Sequence, residues 1–186
     1  MKGSAGDTVG LTQRRKDAKD TSVIAFHALS GWLFLVSVML ITPGCRKHAM
    51  VSSSMAPTIK PGEEVTVDYT AYTVSTPARW DVVVFVPPFA TNALWAMRVV
   101  ALPGESVSSS ATGVEVNGKP LVPPPHLASV TYCSLIQLGH PSGVPSPFVV
   151  PKDSYFILGD NSFNANDSRH WGAVALTNIQ GKVLNK

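Results

Sequence analysis

From Val23 to Ile41 the chain runs for 19 residues without a formal charge, apolar on all sides, with His27 and a few serines as the polar exceptions. Wound as a helix, such a run is about as long as one bilayer crossing. A buried helix of a soluble protein is the alternative, but that kind of helix commonly keeps a polar stripe. The run therefore predicts one transmembrane helix over 23–42, with a polar tail over 1–22 before it and a modest domain over 43–186 after it. A charged fraction of only 15% and a mean hydropathy of +0.15 agree with a partner in the lipid bilayer.

Basic residues set the expected orientation. Arg14, Arg15, Lys16 and Lys19 precede the span and Arg46 and Lys47 follow it, which predicts a cytoplasmic tail and a body outside the cell (plasma) membrane. A rival reading stays open: Thr42-Pro43-Gly44-Cys45 has traces of a lipoprotein cleavage site, with Cys45 acylated and a lipid in place of the helix. A net charge of +3 with no basic stripe among aromatics gives no reason to expect nucleic acid as a partner. Cys45 and Cys133 would suffice for one disulfide in an oxidising compartment. The five histidines are scattered without metal-ligand spacing, so neither a metal nor a cofactor is expected.

Beyond Cys45 the pattern is β. Glu64 to Tyr69 alternates, Asp81 to Val86 is a β-branched run, and Leu94 to Leu102 is another. Val114 to Lys119 carries Asn117-Gly118, a strong hairpin cue. Phe148 to Val150 and Tyr155 to Leu158 close the set. The stretch over 121–150 is a proline-rich insert, of which 121–147 reads as an ordered surface loop. With no amphipathic helix apparent after the span, the expectation is a mainly β, antiparallel domain on a membrane stalk.

Three further stretches bear on chemistry. Val51-Ser52-Ser53-Ser54-Met55-Ala56-Pro57-Thr58 places three hydroxyls before a segment stiffened by Pro57, which also biases Ala56 toward extended geometry. Alone it is an ordinary Ser-rich turn. The others are Met97-Arg98-Val99-Val100-Ala101-Leu102-Pro103-Gly104-Glu105 and Gly159-Asp160-Asn161-Ser162-Phe163-Asn164-Ala165-Asn166-Asp167-Ser168-Arg169. In this order the three resemble the signature boxes of bacterial signal peptidase I, the membrane-bound serine protease that removes export signals. The pattern there is S-M-x-P-T, then K-R-V-x-x-L-P-G-D/E, then G-D-N-x-x-x-S-x-D-S-R. The resemblance runs from the apolar segment to near the end, except over 121–150, which has no evident counterpart.

The resemblance implies a Ser/Lys dyad with Ser54 as nucleophile and Ser52 as an oxyanion-hole hydroxyl. It implies site architecture at Arg98, Gly159, Asp160, Asp167 and Arg169, and a signal-peptidase fold acting on signal peptides of exported preproteins. A lysine serves as base only when burial lowers its pKa from about 10.4. Here that position is Met97, of similar reach but without a basic nitrogen, and the family serine that orients the lysine is Ala165. The two changes fit one another, because a hydroxyl facing a thioether would be left without its partner.

Three functional readings remain: a serine endopeptidase whose base comes from elsewhere (Lys60, His48, His170 or a partner subunit), a pseudoenzyme that binds preproteins, or a structural membrane-anchored domain. Taken without the family, Asp167 and Arg169 read as a surface pair, Gly159 as a place where backbone approaches substrate, and Phe85 to Phe89 with Trp95 as a surface against the membrane or as ordinary core.

Overall fold

The structure, a computed structural model, describes residues 44–90, 92–140 and 143–186. The tail over 1–22 and the membrane helix expected over 23–42 lie outside them. Among the described residues no helix is long and apolar enough to cross a membrane.

The described chain is built from antiparallel strands in two sheets. In chain order these are β1 (Cys45–Ala49), β2 (Glu64–Asp68), β3 (Val82–Phe85), β4 (Trp95–Ala101), β5 (Ser106–Ser110), β6 (Gly113–Val116), β7 (Lys119–Pro120), β8 (Phe148–Val149), β9 (Ser154–Leu158), β10 (Val174–Ala175) and β11 (Ile179–Val183). The larger sheet has the order β1-β2-β11-β3-β4-β9-β10 and the smaller β7-β6-β5-β8. One four-residue helix, α1 (Ser168–Trp171), begins at the last two residues of the third motif. The β expectation holds, and the Asn117-Gly118 turn joins β6 to β7 with both residues at positive φ, as a tight two-residue hairpin needs.

Strand periodicity explains where the core sits. On β2 only Val65 and Val67 are buried, the half-buried alternation of a strand with one solvent face. β4 and β9 differ, because both of their faces are covered. Met97 and Val99 of β4 and Tyr155 and Ile157 of β9 join one apolar cluster with Met55, Val83 and Phe85. Val100 and Ala101 of β4 and Phe156 and Leu158 of β9 join a second cluster with Val107, Val116 and Tyr132. The two strands are a wall between two cores, with Ala96, Met97 and Val99 of β4 in the first and Val100 and Ala101 in the second.

One reading needs correction and two open ones are decided. The stretch over 121–147 is more than a surface loop: it includes a short 3-10 turn (Pro125–Leu127) and buries Leu127, Val130, Tyr132 and Leu135 in the domain, while the strand expected from Phe148 is β8. Phe85 belongs to the core, fully buried, while Phe89 is exposed and packs edge-on against Trp95 and Trp171. No disulfide joins Cys45 to Cys133.

Candidate functional site

The Val51–Thr58 stretch forms a turn anchored at its far end. Ala56 N donates to Ser53 O at 3.1 Å and Ile59 N to Met55 O at 2.9 Å. Met55 and Ile59, both fully buried, are pinned in the first core. Ser54 is thereby held at a fixed place: its amide donates to Ser52 Oγ at 3.1 Å and its carbonyl accepts from Asn161 N at 2.9 Å. The third motif grips the same turn through Asn161 Nδ2 on Ser53 O (3.2 Å) and Asn164 Nδ2 on Ser53 Oγ (3.0 Å).

Ser54 is 7% exposed and lines a groove of about 480 Å³. The walls are the segments 49–52 and 93–97, with Met97 among them, and Asn164 and Asn166 close one side. Among the described residues no side chain hydrogen-bonds the Ser54 hydroxyl, and none leaves a buried polar atom unsatisfied, so the hydroxyl opens onto the groove. None of the groove's lining residues is Asp, Glu, His, Lys or Arg. The substitute bases considered from sequence lie elsewhere. His48 Nε2 is 2.8 Å from the Tyr69 hydroxyl, Lys60 is exposed with its amide bonded to Glu63, and His170 is exposed at a different cavity.

Gly159 sits where a Cβ would lie 2.4 Å from Ala165 Cβ and 2.6 Å from Ser54 O. The close approach it permits is therefore that of the Ser54 backbone and Ala165, which lets the third motif lie directly under the turn.

Met97 and Arg98 point to opposite faces of β4. Met97 reaches the groove side, while Arg98 is fully buried on the other face and forks onto Asp160, from Nε to Oδ1 at 2.9 Å and from Nη2 to Oδ2 at 2.7 Å. Its Nη1 donates to Trp80 O at 2.8 Å. Asp160 also accepts from the Tyr132 hydroxyl (2.7 Å) and from Thr58 Oγ1 (2.5 Å). Burial opposes the Arg98 charge, but Asp160 overrules it and the guanidinium holds its proton more firmly than usual. Burial, and then the Asp160 charge, push the Tyr132 phenol far above its ordinary value, so it acts purely as a donor. A buried, bidentate, fully satisfied pair of this kind fixes geometry, whatever its net contribution to stability.

Asp167 and Arg169 form a second buried pair, at 2.7 Å, where sequence alone suggests a surface one. Asp167 Oδ2 also accepts from Gly159 N at 3.1 Å, and Arg169 donates to Cys133 O (2.6 Å) and Ser162 O (3.1 Å). The three motifs thus converge, as their order in the chain suggests. Tyr132 and Trp80, stacked with centroids 6.3 Å apart, escape a reading of the sequence because neither lies in a motif. Thr58 is visible there as the last letter of the first box.

A model of the family described as signal peptidase, peptidase S26, matches residues 20–185. The chain belongs to that family. Signal peptidase I V of Bacillus subtilis (strain 168) is 35% identical over 138 residues, covering 70% of this chain and 78% of that one. Probable signal peptidase I-2 of Synechocystis sp. is 32% identical over 160 residues, covering 81% and 68%. Signal peptidase I of Leptolyngbya laminosa is 34% identical over 140 residues, covering 72% of this chain but only 64% of the relative's length. A solved signal peptidase I from Enterococcus faecalis V583 aligns at 27% identity over 59% of this chain and 97% of that one, with a TM-score of 0.46, too low to carry weight. Signal peptidase relatives are hydrolases of the serine-peptidase kind, and the family's activity is signal-peptide removal.

Proposed function

We propose that this chain recognises export signals with a signal-peptidase site that binds its substrate and turns it over slowly. The groove suits an extended peptide laid between the edges at 49–52 and 93–97 by β-addition, its apolar lining accepting small side chains near Ser54. Ser54 supplies a hydroxyl at a fixed place, and Ser52 with the Ser54 amide supplies the donors that would meet a developing oxyanion. That amide now donates to Ser52 Oγ and must turn toward substrate to serve. Arg98, Gly159, Asp160, Ala165, Asp167 and Arg169 are the scaffold beneath. The apolar run over 23–41, of the length of one bilayer crossing, would anchor such a site beside emerging preproteins at the plasma membrane.

One observation carries the reading: among the described residues that line the groove onto which the Ser54 hydroxyl opens, none is able to take its proton. A serine hydroxyl without a base is a poor nucleophile. The test is cleavage of a signal-peptide substrate by purified full-length protein, beside peptide binding read as a rise in melting temperature. Binding with little Ser54-dependent cleavage is the expected result. Brisk cleavage that Ser54→Ala abolishes would overturn it.

The unpartnered Ser54 hydroxyl favours a second reading, in which a partner subunit brings the base to an otherwise complete site. Cleavage in native membranes that disappears on purification, and requires Ser54, would select it.

A further inference from the structure

Beside the Ser54 groove lies a second cavity of about 450 Å³, which the function proposed above leaves unused. One wall comes from residues 135–140 of the insert and the other from residues 162–170 of the third motif. Asn164 and Asn166 line both cavities, so the two spaces lie on either side of a single short loop. Their chemistry differs. The groove is mostly apolar, whereas the second cavity presents Gln137, His140, Asn166 and His170 with Phe163 at its rim, and Phe163 is 81% exposed.

We propose that this second cavity receives the first residues of the mature chain, just downstream of the bond presented to Ser54. The inference rests on the reading of the groove as the site for the signal's own end. A peptide lying along 49–52 and 93–97 with its carbonyl at Ser54 has to leave the groove, and by crossing over the loop at Asn164 and Asn166, which borders both spaces, it reaches the second cavity. An export signal is apolar and ends in small residues, while the mature chain beyond it is ordinary and largely polar. The lining changes in the same sense, from apolar side chains to amides and imidazoles. A neutral imidazole offers one donor and one acceptor and an amide offers both, which suits the unpaired backbone of a peptide of no fixed sequence. Phe163, aromatic and exposed, gives such a segment an apolar surface to cover. Among the described residues no acidic or permanently charged side chain lines the cavity, so the segment is held by hydrogen bonds and contact area.

The test uses two peptides on the full-length chain in detergent. One ends at the cleavage junction and the other continues for several residues beyond it. The longer peptide should bind at least about tenfold more tightly, the difference made by roughly one or two well-formed contacts. His140→Ala with His170→Ala, and separately Phe163→Ser, should remove that advantage while leaving the shorter peptide's affinity unchanged. All three residues are exposed, so the variants are expected to fold, with the melting temperature as control. Equal affinity of the two peptides, or variants that weaken both alike, would overturn the assignment while leaving the groove reading intact. Failure of the shorter peptide to bind at all would overturn both.

Discussion

The Tyr132 hydroxyl donates to Asp160 at 2.7 Å, joining a proline-rich segment without a motif to the carboxylate that Arg98 grips from β4. The contact makes the insert part of the site's foundation. Tyr132→Phe removes one donor to a charged acceptor and leaves Arg98 and Thr58 in place. The expected loss is about 1.5–3 kcal/mol, read as a lower urea midpoint at unchanged slope. Arg98→Met strands the same carboxylate in the interior and should cost more, about 3–5 kcal/mol. If the two variants are equally damaging, Asp160 is not organised around Arg98.

β10 and β11, which bury Val174, Ile179 and Val183 in the first core, are not among the stretches that read as strands. By contrast, β2, β3, β4, β6 and β9 are legible in the sequence because β-branched alternation and the Asn117-Gly118 turn are local signals. β1 is not, since Arg46 and Lys47 read as a flank of the membrane span; in the structure it pairs with β2 along its length. The serine-rich β5 has low apolar content and gains its place from β6 and β8. The motifs identify Ser52, Ser54, Met97, Arg98 and the third-box residues. What they do not carry is the pairing of Arg98 with Asp160 across 62 positions, or the burial of the Asp167–Arg169 pair, which the sequence suggests only as a surface one. Tyr132 is illegible because a proline-rich stretch has no periodicity from which burial can be read.

Gly159→Ala tests the packing of the third motif beneath the turn. The added carbon would meet Ala165 Cβ at 2.4 Å and Ser54 O at 2.6 Å. Overpacking of this sort costs about 1–3 kcal/mol. Because one of the clashing groups is Ser54 backbone, peptide binding should fall more than stability does. Adding Ala165→Gly relieves only the first contact, so it should recover melting temperature without recovering binding. Full recovery of both would show that Ser54 is not displaced.

Acid stability should depend on Glu105. Burial alone would raise its carboxyl, but the Leu102 amide and then the Arg79 guanidinium overrule that and hold it below its ordinary value. A depressed carboxyl contributes stability that is complete above its unfolded pKa, about 4.3, and that fades as pH falls through the lower folded value. Denaturant midpoints from pH 7 down to pH 3 should therefore drop less steeply for Glu105→Gln than for wild type. Parallel curves would remove Glu105 from the acid response.

The decisive variant restores what position 97 lacks. Met97 is 2% exposed and lines the groove beside Ser54, so Met97→Lys places an amine in a largely apolar site with its stem already accommodated. Burial disfavours the charged amine and lowers its pKa, so any gain in cleavage should grow as pH rises and the amine loses its proton. Ala165→Ser adds the hydroxyl that the family uses to orient that lysine. The two side chains are to act as one unit, so the double variant should exceed the product of the single effects. General-base assistance is typically worth about 10²–10⁴-fold, and the double variant should gain at least the lower figure over wild type. Ser54→Ala must erase the gain. If wild type already cleaves rapidly and Met97→Lys slows it, the base reaches Ser54 from outside this groove, and the partner-subunit reading replaces that of a slow, base-deficient site.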